Sequence, residues 1–97
     1  MPSFIIFYTP TRASFLDDAS PKELAIVDRH FEYLKALHTA GRLLIAGRCA
    51  DGPPGIAVFE AESDNEARAV MDNDPAVRAG VFQGQLRPYR VALLRGA

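Results

Sequence analysis

Residues 4–10 of the chain read FIIFYTP, and this stretch decides how the remainder can fold. Its aromatic and β-branched residues favour a β-strand, and the Thr-Pro pair at its end closes it. A strand with one wet face would alternate apolar and polar residues, whereas this one is apolar throughout residues 4–8. Both faces of the sheet that contains it are therefore expected to be covered.

The next regular element is a helix with a well-marked start. Ser20 can cap it, Pro21 suits the first helical position, and Glu23 completes a capping box. Apolar residues then recur every three or four positions until Gly41, which stands where a C-cap glycine belongs. The pattern predicts a helix from about Pro21 to Ala40.

Two further strands follow the helix and form a hairpin. Short apolar runs predict strands at Leu43–Ala46 and Ile56–Phe59, and the turn-rich segment DGPPG, residues 51–55, joins them. The two strands are expected to be antiparallel. Ahead of the helix, Thr11–Ala19 shows no regular pattern and is predicted to be a loop.

A second, shorter helix is predicted after the hairpin. Ser63 and Glu66 repeat the capping-box pattern, and the helix must stop before Pro75 because a proline disfavours helical backbone at the preceding residue. Asp74 is therefore expected outside the helix, in extended backbone.

The tail from Val81 to Leu94 is strand-like, and Gly84 and Pro88 within it indicate a bulge or an exposed edge. The element order β-α-β-β-α-β predicts an α+β, ferredoxin-like fold, in which two helices cover one face of a four-stranded antiparallel sheet. Two short helices cannot cover both apolar faces. A homodimer packed through the open sheet face, a dimeric α/β barrel, is the expected solution; loops or the carboxy-terminal segment are the alternative cover.

Length and composition exclude several classes of protein. With 97 residues and 48% hydrophobic residues, the chain is expected to form one domain, residues 1–97. Eleven basic residues against twelve acidic ones give a charge of −1, which argues against nucleic-acid binding. The longest apolar run is far below the roughly 20 residues of a membrane-spanning helix. A lone cysteine, Cys49, and no signal-peptide pattern predict a cytoplasmic protein.

Two residues are candidates for acid–base chemistry. At 100° per residue, His30 falls within the apolar arc of the long helix and points toward the sheet. It is either a core residue bonded to a backbone carbonyl or a general acid or base beside a cleft. Asp74 is either a helix stop signal or the carboxylate that orients this imidazole, since both helices pack on the same sheet face.

Two motifs resemble the YciI-like (YCII-related) family. The first is RHFEYL, residues 29–34, followed by GRLLIAG, residues 41–47; the second is DPAVRAGVF, residues 74–82. The resemblance spans nearly the whole chain and implies a dimeric α/β barrel with a His–Asp active site, which corresponds here to His30 and Asp74. The chain departs from many relatives after the second strand, where it has Gly47-Arg48-Cys49 in place of Gly-Pro.

The remaining site candidates are substrate-binding residues. Arg12 and Arg48 follow the first and second strands and could each bind a substrate carboxylate or phenolate, although solvated arginines are the alternative. Tyr8 could line a pocket or belong to the core. No metal site is expected, because His30 and His38 have no third ligand at a chelating spacing. No cofactor is expected, since phosphate-binding, flavin and nicotinamide motifs are absent from the sequence.

The leading hypothesis is a small cofactor-free enzyme that uses His30 and Asp74 as an acid–base dyad on a small cyclic or aromatic metabolite. Isomerisation, elimination or dehydrochlorination next to a carbonyl would suit such a dyad, and the barrels related to this family include muconolactone-isomerase-like proteins. The alternative is a non-catalytic metabolite-binding or accessory module with the same cleft. A structural protein without a pocket is the third possibility.

Overall fold

In the computed structural model, which describes residues 1–96, a four-stranded antiparallel sheet carries helices on one of its faces. The strands are β1 Ser3–Pro10, β2 Leu43–Arg48, β3 Gly55–Glu60 and β4 Phe82–Pro88. The helices are α1 Phe15–Asp18, α2 Pro21–Thr39, α3 Asp64–Asp72 and α4 Pro75–Arg78. The strand order β2-β3-β1-β4 is that of a ferredoxin-like fold, which confirms the predicted fold class.

The start of α2 has the predicted capping box. The Ser20 hydroxyl accepts from the Glu23 backbone N–H at 3.1 Å, and the Glu23 carboxylate accepts from the Ser20 backbone N–H at 2.9 Å. The helix ends at Thr39, one residue before the predicted end, and Gly41 follows with a φ of 78°. That left-handed backbone is the reason for a glycine at this position.

Two one-turn helices are present where the sequence predicted none. The predicted loop Thr11–Ala19 contains α1, whose Phe15 is buried and packs edge-on against Phe82. Pro75 ends one helix as expected, but it also begins α4, and Asp74 caps that helix from the predicted extended backbone. α1 depends on this contact with a distant part of the chain, which a local pattern does not contain. α4 instead begins at a local Asp-Pro signal, which the sequence pattern had indicated only as a helix stop.

The second capping box is half formed. The Ser63 hydroxyl accepts from the Glu66 backbone N–H at 3.1 Å, as predicted. The Glu66 carboxylate does not return to the cap and pairs instead with the guanidinium of Arg42. An ion pair between α3 and the start of β2 thus replaces the second half of the box.

The predicted strand Val81–Leu94 is too long, and of the two predicted features, a bulge or an exposed edge, the edge is the one present. β4 ends at Pro88, because its partner strand β1 begins at Ser3, whose carbonyl accepts from the backbone N–H of Tyr89 just past the strand. The pairing of β4 with β1 is regular through Gly84, and a register shift lies instead in β2, between Leu43 and Ile45. The expected exposed edge is present, since β4 pairs with β1 alone.

The two faces of the sheet have different surroundings. The helix-covered face holds the main core, which comprises Phe4, Ile6, Tyr8, Ala57 and Phe59 from the sheet and Leu34, Ala67, Val70 and Met71 from the helices. The opposite face is apolar along β1, β3 and β2, where cross-strand pairing aligns Ile5 with Val58 and Phe7 with Ile56. Ile5 and Val58 on this face are buried, whereas Ile45 on β2 is 52% exposed.

Candidate active site

Three elements bring polar side chains together beneath α2. His30 lies in the middle of α2, Asp74 caps α4, and Tyr8 lies near the end of β1 on the helix-covered face. The capping geometry fixes Asp74, because its Oδ1 accepts from the Ala76 backbone N–H at 2.9 Å. The sequence separates His30 from Asp74 by 44 residues, and the fold places them in contact.

The imidazole of His30 and the carboxylate of Asp74 form a hydrogen-bonded pair. His30 Nδ1 lies 2.7 Å from Asp74 Oδ2 and 2.9 Å from Oδ1. The Asp74 side chain is fully buried, whereas that of His30 is 13% exposed. Because a carboxylate only accepts hydrogen bonds, Nδ1 carries the proton, and the lone pair of the neutral ring is on Nε2.

The second ring nitrogen of His30 is available for chemistry. Nε2 has no hydrogen-bond partner within residues 1–96, and that part of the chain contains no buried side-chain nitrogen or oxygen without one. Nε2 therefore reaches solvent. A buried carboxylate behind Nδ1 and an accessible basic Nε2 in front are the arrangement required of a general base.

Aromatic rings enclose the imidazole on two sides. The centroid of the Tyr8 ring lies 4.9 Å from that of the His30 ring, and the centroid of the Phe82 ring lies 5.3 Å from it. Both rings are packed edge-on against the imidazole. The Tyr8 hydroxyl donates to Asp74 Oδ2 at 3.0 Å. Burial and the nearby Asp74 carboxylate raise the pKa of Tyr8 far above its usual 10.0, so this hydroxyl keeps its proton.

The two candidate arginines have different surroundings. Arg12 is held at the surface by contacts from all three guanidinium nitrogens, which donate to Ser14, Asp18 and Glu23 at 2.7 to 3.1 Å. Arg48 is exposed and has no ion pair within residues 1–96. Pairing across the sheet puts Arg48 opposite Gly55 and Gly55 opposite Tyr8, so Arg48 shares the face of Tyr8.

Phe82 is a site residue that the sequence reasoning missed. It stands at the end of the motif in residues 74–82, and its place opposite Pro10 puts it on the face of Tyr8. The signal was therefore the motif together with the alternation of side chains along a strand. Nothing in the sequence shows that register, so the contact with His30 required the structure.

Other features of the surface lie apart from this pair. A groove of about 730 Å³ is lined by residues from the start of β1, the start of α3 and the segment 88–91, without His30 or Asp74. Within residues 1–96, no three His, Cys, Asp or Glu side chains cluster as metal ligands would. None of the helices there is long and apolar enough to span a membrane.

A sequence profile of the YCII-related domain matches residues 3–88. The chain belongs to the YCII-related family. Protein YciI of Escherichia coli O6:H1 is 36% identical to it over 84 residues, which cover 75% of this chain and 86% of that protein. Protein YciI of Shigella flexneri matches with the same values.

Solved structures share the fold of this YCII-related chain. The dehydrochlorinase of 5-chloro-2-hydroxyhydroquinone from Burkholderia phenoliruptrix, in complex with 2,5-dihydroxybenzoquinone, has a TM-score of 0.70 at 20% identity and covers 91% of this chain and 93% of its own. Muconolactone isomerase has a TM-score of 0.72 at 14% identity, and the match covers 98% of this chain and 96% of the isomerase chain. These similarities establish a ferredoxin-like fold of the kind that both enzymes use.

Proposed function

We propose that this YCII-related protein is a small enzyme in which His30 and Asp74 act as an acid–base dyad. The observation that carries the proposal is the 2.7 Å contact between Nδ1 of His30 and the buried Asp74 carboxylate, with Nε2 left accessible. Such a pair fixes one tautomer of the ring and stabilises the imidazolium that forms when Nε2 takes a proton.

The dyad supports two related reactions without a cofactor. In an isomerisation, Nε2 removes a proton from a carbon next to a carbonyl, and the imidazolium returns it at another position of the resulting enolate. In a dehydrochlorination, Nε2 removes the proton, and the electron pair expels chloride from the neighbouring carbon. Asp74 keeps its charge throughout and balances the imidazolium.

The proposed substrate is a small hydroxylated ring or lactone that carries a carboxylate or phenolate. Support comes from the two structural neighbours, a dehydrochlorinase and an isomerase of ring compounds. The ring of Phe82 beside His30 suits a flat ring, since Phe82 is only partly buried. Arg48 is the arginine that we propose for the anion, since the nitrogens of Arg12 already have partners.

We further propose that the protein acts as a cytoplasmic homodimer, joined through the open sheet face. The apolar residues of that face on β1, β3 and β2 support a sheet-to-sheet contact, and both structural neighbours have the same fold. The single cysteine, Cys49, is exposed and has no disulfide partner, as suits a reducing compartment.

The test is turnover of a small panel by the wild type and by His30→Gln. The panel contains 5-chloro-2-hydroxyhydroquinone, followed by chloride release, and muconolactone, followed by isomerisation, with 2,5-dihydroxybenzoquinone as a binding probe. We expect turnover of a panel member and a loss of kcat of about 100-fold or more in His30→Gln, because a general base contributes on that order.

His38→Gln is the matched control, because His38 is an exposed histidine of the same helix. It should retain wild-type turnover. Full activity of His30→Gln would remove the catalytic role of His30. Binding of a panel member by the wild type without turnover would favour the non-catalytic binding module. The substrate class would be wrong if the wild type neither turned over nor bound any member of the panel.

A further inference from the structure

The Asp74 carboxylate has more donors than a two-residue dyad requires. It is fully buried and accepts from three groups: His30 Nδ1–H, the Ala76 backbone N–H and the Tyr8 hydroxyl. A buried carboxylate stays charged and in place only when such donors replace water. Oδ2, the atom nearest to His30, receives its second bond from Tyr8.

Tyr8 is built into this place by the sheet. It is 4% exposed, and its cross-strand neighbours on both sides, Gly55 and Gly84, lack side chains. A methyl group at Gly84 would lie 2.8 Å from the sulfur of Met71. The Met71 side chain therefore occupies the space that a side chain at position 84 would need. The Tyr8 ring is therefore fixed next to the imidazole of His30, with its hydroxyl in contact with the Asp74 carboxylate.

The geometry does not suit a hydroxyl that binds substrate. A tyrosine has one O–H to donate, and that of Tyr8 is already given to Asp74. Its raised pKa means that the proton is not lost at neutral pH. The same residue contacts the imidazole edge-on through its ring, so it touches both members of the pair.

Resting on the function proposed above, we infer that Tyr8 is the positioning residue of the dyad: its hydroxyl holds Asp74 Oδ2 in line with His30 Nδ1, which keeps the proton on Nδ1 and the lone pair on Nε2. Tyr8 acts through Asp74 and does not contact the reacting atoms. Its loss should therefore disturb the proton on His30 Nδ1 in the free protein, before any substrate is added.

The experiment measures the imidazole by NMR in Tyr8→Phe, which removes the hydroxyl and keeps the ring. In ¹⁵N-labelled wild type at a pH where the ring is neutral, we expect one tautomer and a slowly exchanging Nδ1–H. In Tyr8→Phe we expect exchange of this proton to be faster by about tenfold, the effect of one lost hydrogen bond to a carboxylate. Signals of the second tautomer should also appear.

Two variants separate the hydroxyl from general packing. Tyr33→Phe removes a comparable hydroxyl, which donates to the Val70 carbonyl at 2.7 Å, and should leave the Nδ1–H unchanged. Phe82→Leu removes the other ring against His30 while the Tyr8 hydroxyl remains. Wild-type exchange in Tyr8→Phe, or an effect in Phe82→Leu alone, would overturn the inference and assign the positioning to ring packing.

This outcome is independent of the substrate. If His30→Gln proved fully active, the catalytic proposal would fail, while the NMR result would still decide whether Tyr8 positions the pair. With a substrate in hand, a positioning role predicts that Tyr8→Phe lowers kcat and leaves KM near its wild-type value. A rise in KM at constant kcat would instead indicate a substrate contact and would overturn the inference.

Discussion

Asp74 serves both the local fold and the candidate site, so its removal should cost stability whatever the chemistry. Its carboxylate accepts the Ala76 N–H that starts α4 and two side-chain donors in a fully buried position. Asp74→Asn keeps the shape of the side chain but replaces one accepting oxygen with an NH₂ group. This group cannot accept a hydrogen bond, so it faces one of the donors without a partner. We expect a loss of about 1–3 kcal/mol in the free energy of unfolding, measured in urea.

The control is His30→Gln, whose side chain is 13% exposed and caps nothing. Its stability should stay close to that of the wild type. A melting temperature that falls as far in His30→Gln as in Asp74→Asn would point to a structural pair and away from a catalytic one. The stability of Asp74 variants alone does not separate a structural pair from a catalytic one, because the cap of α4 is lost in either case.

The site residues were predictable from sequence to different extents. His30 follows from the helical period, since a histidine inside an apolar arc must point toward the sheet. Asp74 was a candidate because both helices pack on the same sheet face, and the resemblance to the YCII-related family strengthened its assignment. The partner of the Tyr8 hydroxyl could not be predicted, because it depends on the register between strands and on a contact over 66 positions of sequence.

At the scale of elements, one ionic cluster fastens the segment after β1 to the start of α2. Arg12 bonds Asp18 in α1 and holds both Glu23 carboxylate oxygens. The hydrogen bond from Arg12, followed by that from the Ser20 backbone, lowers the pKa of Glu23 from 4.5 to about 2. Glu23 thus also closes the capping box, so the cluster and the helix start share one carboxylate.

The lowered pKa of Glu23 predicts an acid-sensitive contribution to stability. The folded state binds this proton less readily than the unfolded state, so the contribution is present above about pH 4.5 and lost as the pH falls toward 2. Urea unfolding of the wild type and Glu23→Gln should differ at pH 6 and converge near pH 2. We expect a small difference, because the cluster is exposed.

A double-mutant cycle with Arg12→Gln checks the cause. In the Arg12→Gln background, Glu23→Gln should lose most of its pH-dependent effect, since the guanidinium is the larger cause of the lowered pKa. An unchanged effect in that background would assign the contribution to the capping box alone.

Most elements with a local cause were predicted, and those with a tertiary cause were not; α4 is the exception, because Asp74 and Pro75 mark its start locally. The α2 start follows from four adjacent residues, 20–23, and was placed correctly. No side chain caps α1, which exists because Phe15 packs against Phe82 on another element. The apolar pattern of residues 81–94 predicted a strand, but a strand needs a partner, and β1 begins at Ser3.

At the scale of the whole molecule, the open sheet face makes the proposed dimer testable. Ile45→Lys places a charge in its exposed apolar part, where the wild-type side chain is 52% exposed. By light scattering we expect the wild type at twice its 10.6 kDa chain mass and the variant near one chain. Burying an unpaired charge between two sheets is strongly unfavourable.

Phe31→Lys is the matched control, because Phe31 is 60% exposed on α2, away from the open face. It should remain dimeric, and circular dichroism should show both variants folded. A monomeric wild type would contradict the proposed dimer. Dissociation by Phe31→Lys but not by Ile45→Lys would move the interface to the helices.

The double use of Asp74 also limits how the protein can change over generations. A substitution at positions 75–78 that loosens α4 shifts the carboxylate against His30, although none of these residues needs to meet a substrate. Under the proposed function, such a variant should therefore lose activity before it loses the fold. Selection acting on the proposed catalysis would then preserve this short turn together with the two residues of the dyad.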